Sequence, residues 1–168
     1  PSRFKLLIPV MLMVLLASVQ NVFASTEIAY DDGTMAGNVS TEYLGVRFTP
    51  SGQVKVVGAK VFFVSAGGIP TTIYVTGPDH TTVLLSQPHT VQMGAGFQTI
   101  LFGSTPTVSG DFYIVVGRPS PVLYAIGFDA ANNFGRSYSG GSLAGLTIPW
   151  SAGDLMIRAL VEGSGGVG

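Results

Sequence analysis

Beyond residue 24, no window of this chain repeats apolar residues at intervals of three and four, and Ala, Leu, Glu and Lys gather nowhere. Short runs rich in Val, Ile, Thr, Phe and Tyr alternate instead with clusters of Gly, Pro, Ser and Asn. A helix needs a 3.6-residue period to bury one stripe, whereas a strand needs only alternation and a turn at each end. The pattern therefore excludes a helical fold. It predicts strands over 27–30, 42–48, 54–65, 71–76, 82–85, 89–93, 97–102, 111–116, 123–128, 135–138 and 155–162. About ten strands at such spacing describe an all-β chain with one antiparallel β-sandwich of jelly-roll type.

Local chemistry refines this reading. The run Val54–Val64 is long enough to need a bend or bulge, and Gly58 is the place for it. Phe112–Val116 is apolar at nearly every position, as in a central strand covered on both faces. Gly77-Pro78-Asp79-His80 predicts a tight hairpin connection, and Thr49-Pro50-Ser51-Gly52 another turn. Gly94-Ala95-Gly96 and Gly140-Gly141 read as flexible connections. Residues 129–153 form the longest stretch without a strong strand signal, and loops of that length often carry function.

The first 24 residues differ from the rest. Arg3 and Lys5 precede the apolar run Leu6–Ala17, and a polar stretch leads to Val22-Phe23-Ala24-Ser25. This is the order of a secretory signal peptide, with cleavage expected after Ala24. The run is too short for an ordinary membrane span and contains Pro9. The expected division is thus a signal peptide at 1–24, a sandwich domain at 25–162, and a Gly/Ser-rich tail or linker at 163–168. The protein is expected to be secreted, or held at the cell surface, touching membrane only through the segment before processing. Retention of that segment would suit a filament subunit, with the apolar N-terminus packed between neighbours.

Composition narrows the function. Charged residues are 10% of the chain and the net charge is -1, so no basic surface exists for nucleic acid. There is no Cys, which removes disulfides, thiolate metal sites and a Cys nucleophile. His80 and His89 stand nine residues apart without a nearby Glu, which is poor zinc spacing. No Gly-x-Ser-x-Gly elbow occurs, and no pair of carboxylates is singled out for glycoside hydrolysis. The chain is therefore expected not to be an enzyme.

Three groups of residues remain as candidate sites. Asp31 and Asp32 follow the first strand and Asp154 precedes the last, and such strands often pair. The three carboxylates, completed by carbonyls and water, compose a candidate structural Ca²⁺ site. The competing reading makes Asp31-Asp32-Gly33 a turn capped by Asp31 itself. No other cofactor is expected. Tyr124, Asn132, Asn133, Phe134, Arg136, Tyr138 and Trp150 form a candidate ligand surface over 122–153, since sugar rings stack on aromatic faces and hydroxyls bond to Asn and Arg. The competing reading places those aromatics in the core. Asn38-Val39-Ser40 is a glycosylation sequon in a Gly-containing loop. Arg158, inside an apolar strand, is read as an outward charge or as a paired arginine, with Asp111 or Asp154 as partner.

Four landmarks carry a resemblance: Tyr30-Asp31-Asp32-Gly33-Thr34, Val46-Arg47-Phe48-Thr49-Pro50, Ser109-Gly110-Asp111-Phe112-Tyr113 and Gly153-Asp154-Leu155-Met156-Ile157-Arg158-Ala159. With them the chain resembles jelly-roll-like β-sandwich modules of secreted and cell-surface proteins of archaea and bacteria. The resemblance implies an extracellular accessory module and transfers no catalytic residue. The expected function is a structural or adhesive surface module working by protein–protein contact with a cell-surface protein or like subunits. The alternative is a carbohydrate-binding module.

Overall fold

The structure, a computed structural model, describes residues 24–118 and 123–163. The expected leader and tail therefore lie outside the described residues, apart from Ala24 and Gly163. The described residues form strands and no helix, so none crosses a membrane as a helix.

In chain order the strands are β1 (Thr26–Ile28), β2 (Gly37–Val39), β3 (Tyr43–Phe48), β4 (Gln53–Ser65), β5 (Ile69–Thr76), β6 (Val83–Val91), β7 (Gly94–Leu101), β8 (Thr107–Ser109), β9 (Phe112–Gly117), β10 (Tyr124–Asp129), β11 (Ser137–Gly140), β12 (Ile148–Pro149), β13 (Asp154–Leu155) and β14 (Ile157–Glu162). They build two antiparallel sheets. One runs β1-β14-β4-β10-β13, with β2 also on β10 and with β7 and β8 on β4. The other runs β12-β11-β3-β9-β5-β6. The expected sandwich is the observed fold. Its core lies between the sheets, where Phe48, Phe63, Phe112, Leu44, Ile73, Ile114 and Ile126 are fully buried. Burying each such side chain stabilises by ~1.5–3 kcal/mol.

The long strand β4 organises the first sheet. Val54 and Val56 point inward, and then so do Ala59, Val61 and Phe63. The inward set changes phase by one residue, and the pairing with β14 shifts at the same place, Leu160 facing Gly58 and Val161 facing Val56. This is the bulge expected at Gly58. A Cβ there would lie 2.6 Å from the Ile100 carbonyl oxygen, so the position admits no side chain. The bulge also lets one edge of β4 change partner. Residues 53–55 pair with β8 and residues 58–65 with β7.

Three expectations need correction. The runs 82–85 and 89–93 are one strand, β6, which continues through Pro88. That strand is the edge of its sheet, so the missing N–H costs no ladder bond. Gly94-Ala95-Gly96 is not a connection but the start of β7, paired with Phe63–Ser65. In the segment 129–153 the strand expected at 135–138 is β11, two residues later, and a second short strand, β12, was not expected.

Strand β9 is central and buried at all six positions, as its sequence predicts. Phe112, Ile114 and Val116 face the main core. Tyr113 and Val115 face outward into a second cluster, closed by Leu146 and flanked by Tyr43, Tyr74, Tyr138 and Leu143. The outer face of the six-stranded sheet is thus aromatic, with a lid from the turn after β11. Gly145 N donates to the Ser142 carbonyl at 3.1 Å, and Gly140 packs against the Gly145 carbonyl, which holds that turn down.

Candidate functional site

The pairing of β1 with β14 brings residues 31–34 to the end of the sandwich where β10 meets β13. Each aspartate there holds backbone or an arginine. Gly33 N donates to Asp31 Oδ1 at 3.0 Å, which closes the turn. Arg158 Nε donates to both Asp31 oxygens at 3.1 and 3.0 Å, and its Nη1 reaches Glu27 at 2.6 Å. Arg158 is therefore paired, but with Asp31 and Glu27 instead of Asp111 or Asp154. Asp129, which sequence reasoning passed over, accepts Asp32 N at 3.0 Å and Ala131 N at 2.7 Å. Asp154 accepts Phe134 N at 3.1 Å.

Among the described residues, no group of three or more His, Asp or Glu is placed to hold a metal. Asp31, Asp32 and Asp154 instead act as turn and ion-pair residues in this geometry. Melting curves in EDTA and in millimolar Ca²⁺ are expected to superimpose. A rise of several degrees with Ca²⁺ would restore the cation reading.

Asp154 is buried, and burial pushes its pKa up. The Phe134 N–H opposes that, and Asp129 and Asp31 add to it. A raised folded-state pKa contributes stability that is present below the ordinary 3.8 and is lost as pH rises through the folded value. Asp154→Asn keeps an acceptor for Phe134 N and removes the charge. The variant is expected to gain on the wild type in urea midpoint between pH 3 and pH 7. An equal difference at both pH values would refute the assignment.

The expected ligand surface over 122–153 does not form one face. Tyr124 is a core residue, 4% exposed, with its ring edge-on to Phe63 at 5.4 Å and its hydroxyl bound to Thr71. Burial pushes its phenol up to about 12, against the opposing effects of Thr71 and Arg118. Trp150 packs half-buried on Phe128 at 5.7 Å. Asn133 ties its own loop, donating to the Ser151 carbonyl and accepting Gly135 N. Asn132 is exposed beside it. Phe134 and Arg136 both lie on Tyr30, at 6.0 and 4.6 Å, and Arg136 donates to Thr49 Oγ1. Only Tyr138 belongs to the aromatic outer face. Asn38 has an exposed side chain but sits in β2, paired with Gly127, and not in a loop.

That outer face contains three tyrosines the sequence reading did not single out. Tyr113 meets Tyr138 edge-on at 5.6 Å, and Tyr43 meets Tyr74 at 6.4 Å. The pairing places Gly117 between Tyr43 of β3 and Thr72 of β5. A Cβ on Gly117 would lie 2.8 Å from both Tyr43 Cε1 and Tyr74 Cε2. The glycine lets both rings close over the strand. Beside them a groove of about 340 Å³ is lined by Tyr43, Tyr74, Pro70, Pro88, Thr72 and Arg118, with Thr71 and Gly117. Its volume falls at the low end of small-ligand pockets, roughly 300–1,000 Å³.

A two-sheet antiparallel β-sandwich with an aromatic outer face is the class of protein defined so far. No family model matches the chain, and no curated protein does. Among solved structures it is similar to the clostridial cysteine protease Cwp84 after propeptide cleavage, with 14% identity, a TM-score of 0.59, and coverage of 84% of this chain and 41% of that one. A ruminal GH26 endo-β-1,4-mannanase matches at TM-score 0.38 and 14% identity over 57% of this chain and 19% of that one. A family two carbohydrate esterase from Cellvibrio japonicus matches at 0.33 and 12% over 85% and 35%. The chain spans less than half the length of each of these three solved chains. The first likeness shows a shared fold and nothing further.

Proposed function

We propose that this chain is a non-catalytic module of an exported protein and works by contact, through the outer face of its six-stranded sheet. One observation carries the reading. The outward side of the six-stranded sheet presents the half-buried rings of Tyr43, Tyr74 and Tyr138 around the buried Tyr113, a clustered aromatic patch and not scattered single residues. The non-catalytic part rests on where the reactive side chains are spent. Carboxylates hold backbone N–H groups and arginines, His89 lies 3.1 Å from Gln98 and stacks on Phe63, and His80 meets Tyr113 edge-on. The partner in the leading reading is a like subunit or another surface protein. The filament reading turns on residues 1–24, nearly all outside the described residues.

Sedimentation velocity of residues 25–163 over a hundredfold concentration range tests this. Concentration-dependent association that Tyr138→Arg abolishes is the expected result. A monomer at every concentration would remove self-contact. Turnover of chromogenic esters, glycosides or peptides above blank would remove the non-catalytic reading. A second reading, carbohydrate binding, is favoured by the ring pair Tyr43 and Tyr74 beside an open groove.

A further inference from the structure

We infer that the groove beside Gly117 is a subsite for one pyranose ring of a glycan, neutral or carboxylate-bearing. The inference rests on the outer face being the contact face. It names the chemistry that one part of that face selects.

The lining is apolar in flat pieces and polar at points. Tyr43 and Tyr74 supply two aromatic rings, and Pro70 and Pro88 supply two C–H-rich walls. Among the described residues, the hydroxyls of Tyr43, Tyr74 and Thr72 have no protein partner. A pyranose offers the complement, an apolar face of axial C–H groups and a rim of hydroxyls. An apolar side chain of similar size would leave those three hydroxyls unmatched, which costs affinity when they are buried by the partner.

Charge narrows the sugar. Among the described residues, no carboxylate lines the groove. Arg118, 5% exposed, lines it and has no ion-pair partner among the described residues. Its guanidinium is held by the Tyr124 and Thr41 carbonyls and by Ser40 Oγ, and its Nε has no hydrogen-bond partner among the described residues. A buried cation without a counter-ion favours a neutral or acidic ligand over a cationic one. A uronic acid and a neutral hexose share the required ring, whereas a free amino sugar is disfavoured.

Calorimetric titration of residues 25–163 with hexasaccharides of glucose, mannose, galacturonate, N-acetylglucosamine and glucosamine is the test. At least one of the first four is expected to bind with Kd at or below the millimolar range, and the glucosamine hexamer is expected not to bind. Galacturonate against the neutral sugars separates the two sources. Tyr74→Ala is expected to weaken binding at least tenfold, and Thr72→Val at least threefold. Thr72→Val keeps the side-chain shape, and an unchanged melting temperature secures the comparison should Tyr74→Ala fold poorly. Binding by none of the four, tightest binding by the glucosamine hexamer, or equal affinity in Thr72→Val and wild type would each overturn the inference. Self-association lost in Tyr138→Arg, together with no glycan binding, would leave the contact module standing and remove only the sugar.

Discussion

Replacing Arg158 with Ala is expected to lower stability by about 3 kcal/mol, within the ~3–5 kcal/mol that breaking a buried ion pair costs. The Asp31 side chain is 0% exposed and the Arg158 side chain 15% exposed. Truncation strands the Asp31 carboxylate without its counter-ion and uncovers the Phe97 ring that lies 4.2 Å below the guanidinium. For a domain of this size the melting temperature should fall by roughly 6–12 °C. Lys60→Ala is the control. Its bond to Glu27 at 2.6 Å joins side chains 35% and 28% exposed, a pairing worth at most about 1 kcal/mol. Adding Asp31→Asn to Arg158→Ala should recover part of the loss, because the stranded charge is then gone. A melting temperature within about 1 °C of wild type for Arg158→Ala would mean that the pair contributes nothing. Acid titration gives an independent view. Burial tends to raise Glu27, but Lys60 and Arg158 outweigh it and hold its pKa below 4.5. A depressed pKa contributes stability that is present above 4.5 and lost as pH falls through the folded value. That acid-side loss should be smaller in Arg158→Ala.

Leu146→Ala is expected to cost about 2–4 kcal/mol, as for other leucines removed from a tight core. Leu146 is 1% exposed, although it lies outside the sandwich proper. It packs over Val115, and a Cβ on Gly45 would come within 2.8 Å of its Cδ2. Leu146→Met, which conserves volume, should cost less than about 1.5 kcal/mol. Amide exchange at Gly145 and Thr147 should speed up with the loss in Leu146→Ala, because their bonds to the Ser142 and Gly145 carbonyls close the turn. A near-neutral Leu146→Ala would show that the turn rests on the sheet without contributing to it.

Much of the fold was legible, for specific reasons. The bulge at Gly58 follows from the length of the Val54–Val64 run, and the double covering of Phe112–Val116 from its unbroken apolar content. The break wrongly placed within β6 came from Pro88, which punctuates a central strand but not an edge. Strand β11 was read two residues early, at 135–138 instead of Ser137–Gly140, and β12 was hidden because Ile148–Pro149 is too short to show a period.

The candidate surface was less legible. Aromatic residues near Asn and Arg pointed to 122–153, but nearness in sequence did not place them on one face. A better signal was present in the strand phase. Tyr43 is out of step with Leu44, Val46 and Phe48, Tyr74 with Ile73 and Val75, and Tyr113 with Phe112 and Ile114. Large rings on the outward phase of three strands mark a face that the core does not need. The role of Asp129 and the partner of Arg158 were not readable, because both depend on contacts about 100 residues or more apart in the chain.

The pairing of Thr26 with Val161 sets the two ends of the domain side by side. Val161 faces Val56 near the start of β4, whereas Tyr124, whose carbonyl anchors Arg118, faces Ser65 at its end. Nine residues of strand separate those positions, about 30 Å at 3.3 Å per residue. The first and last strands thus end at one pole of the sandwich, and the tyrosine groove lies toward the other. Because those ends are adjacent, a circular permutant joined through 26 and 161 should fold to the same sandwich.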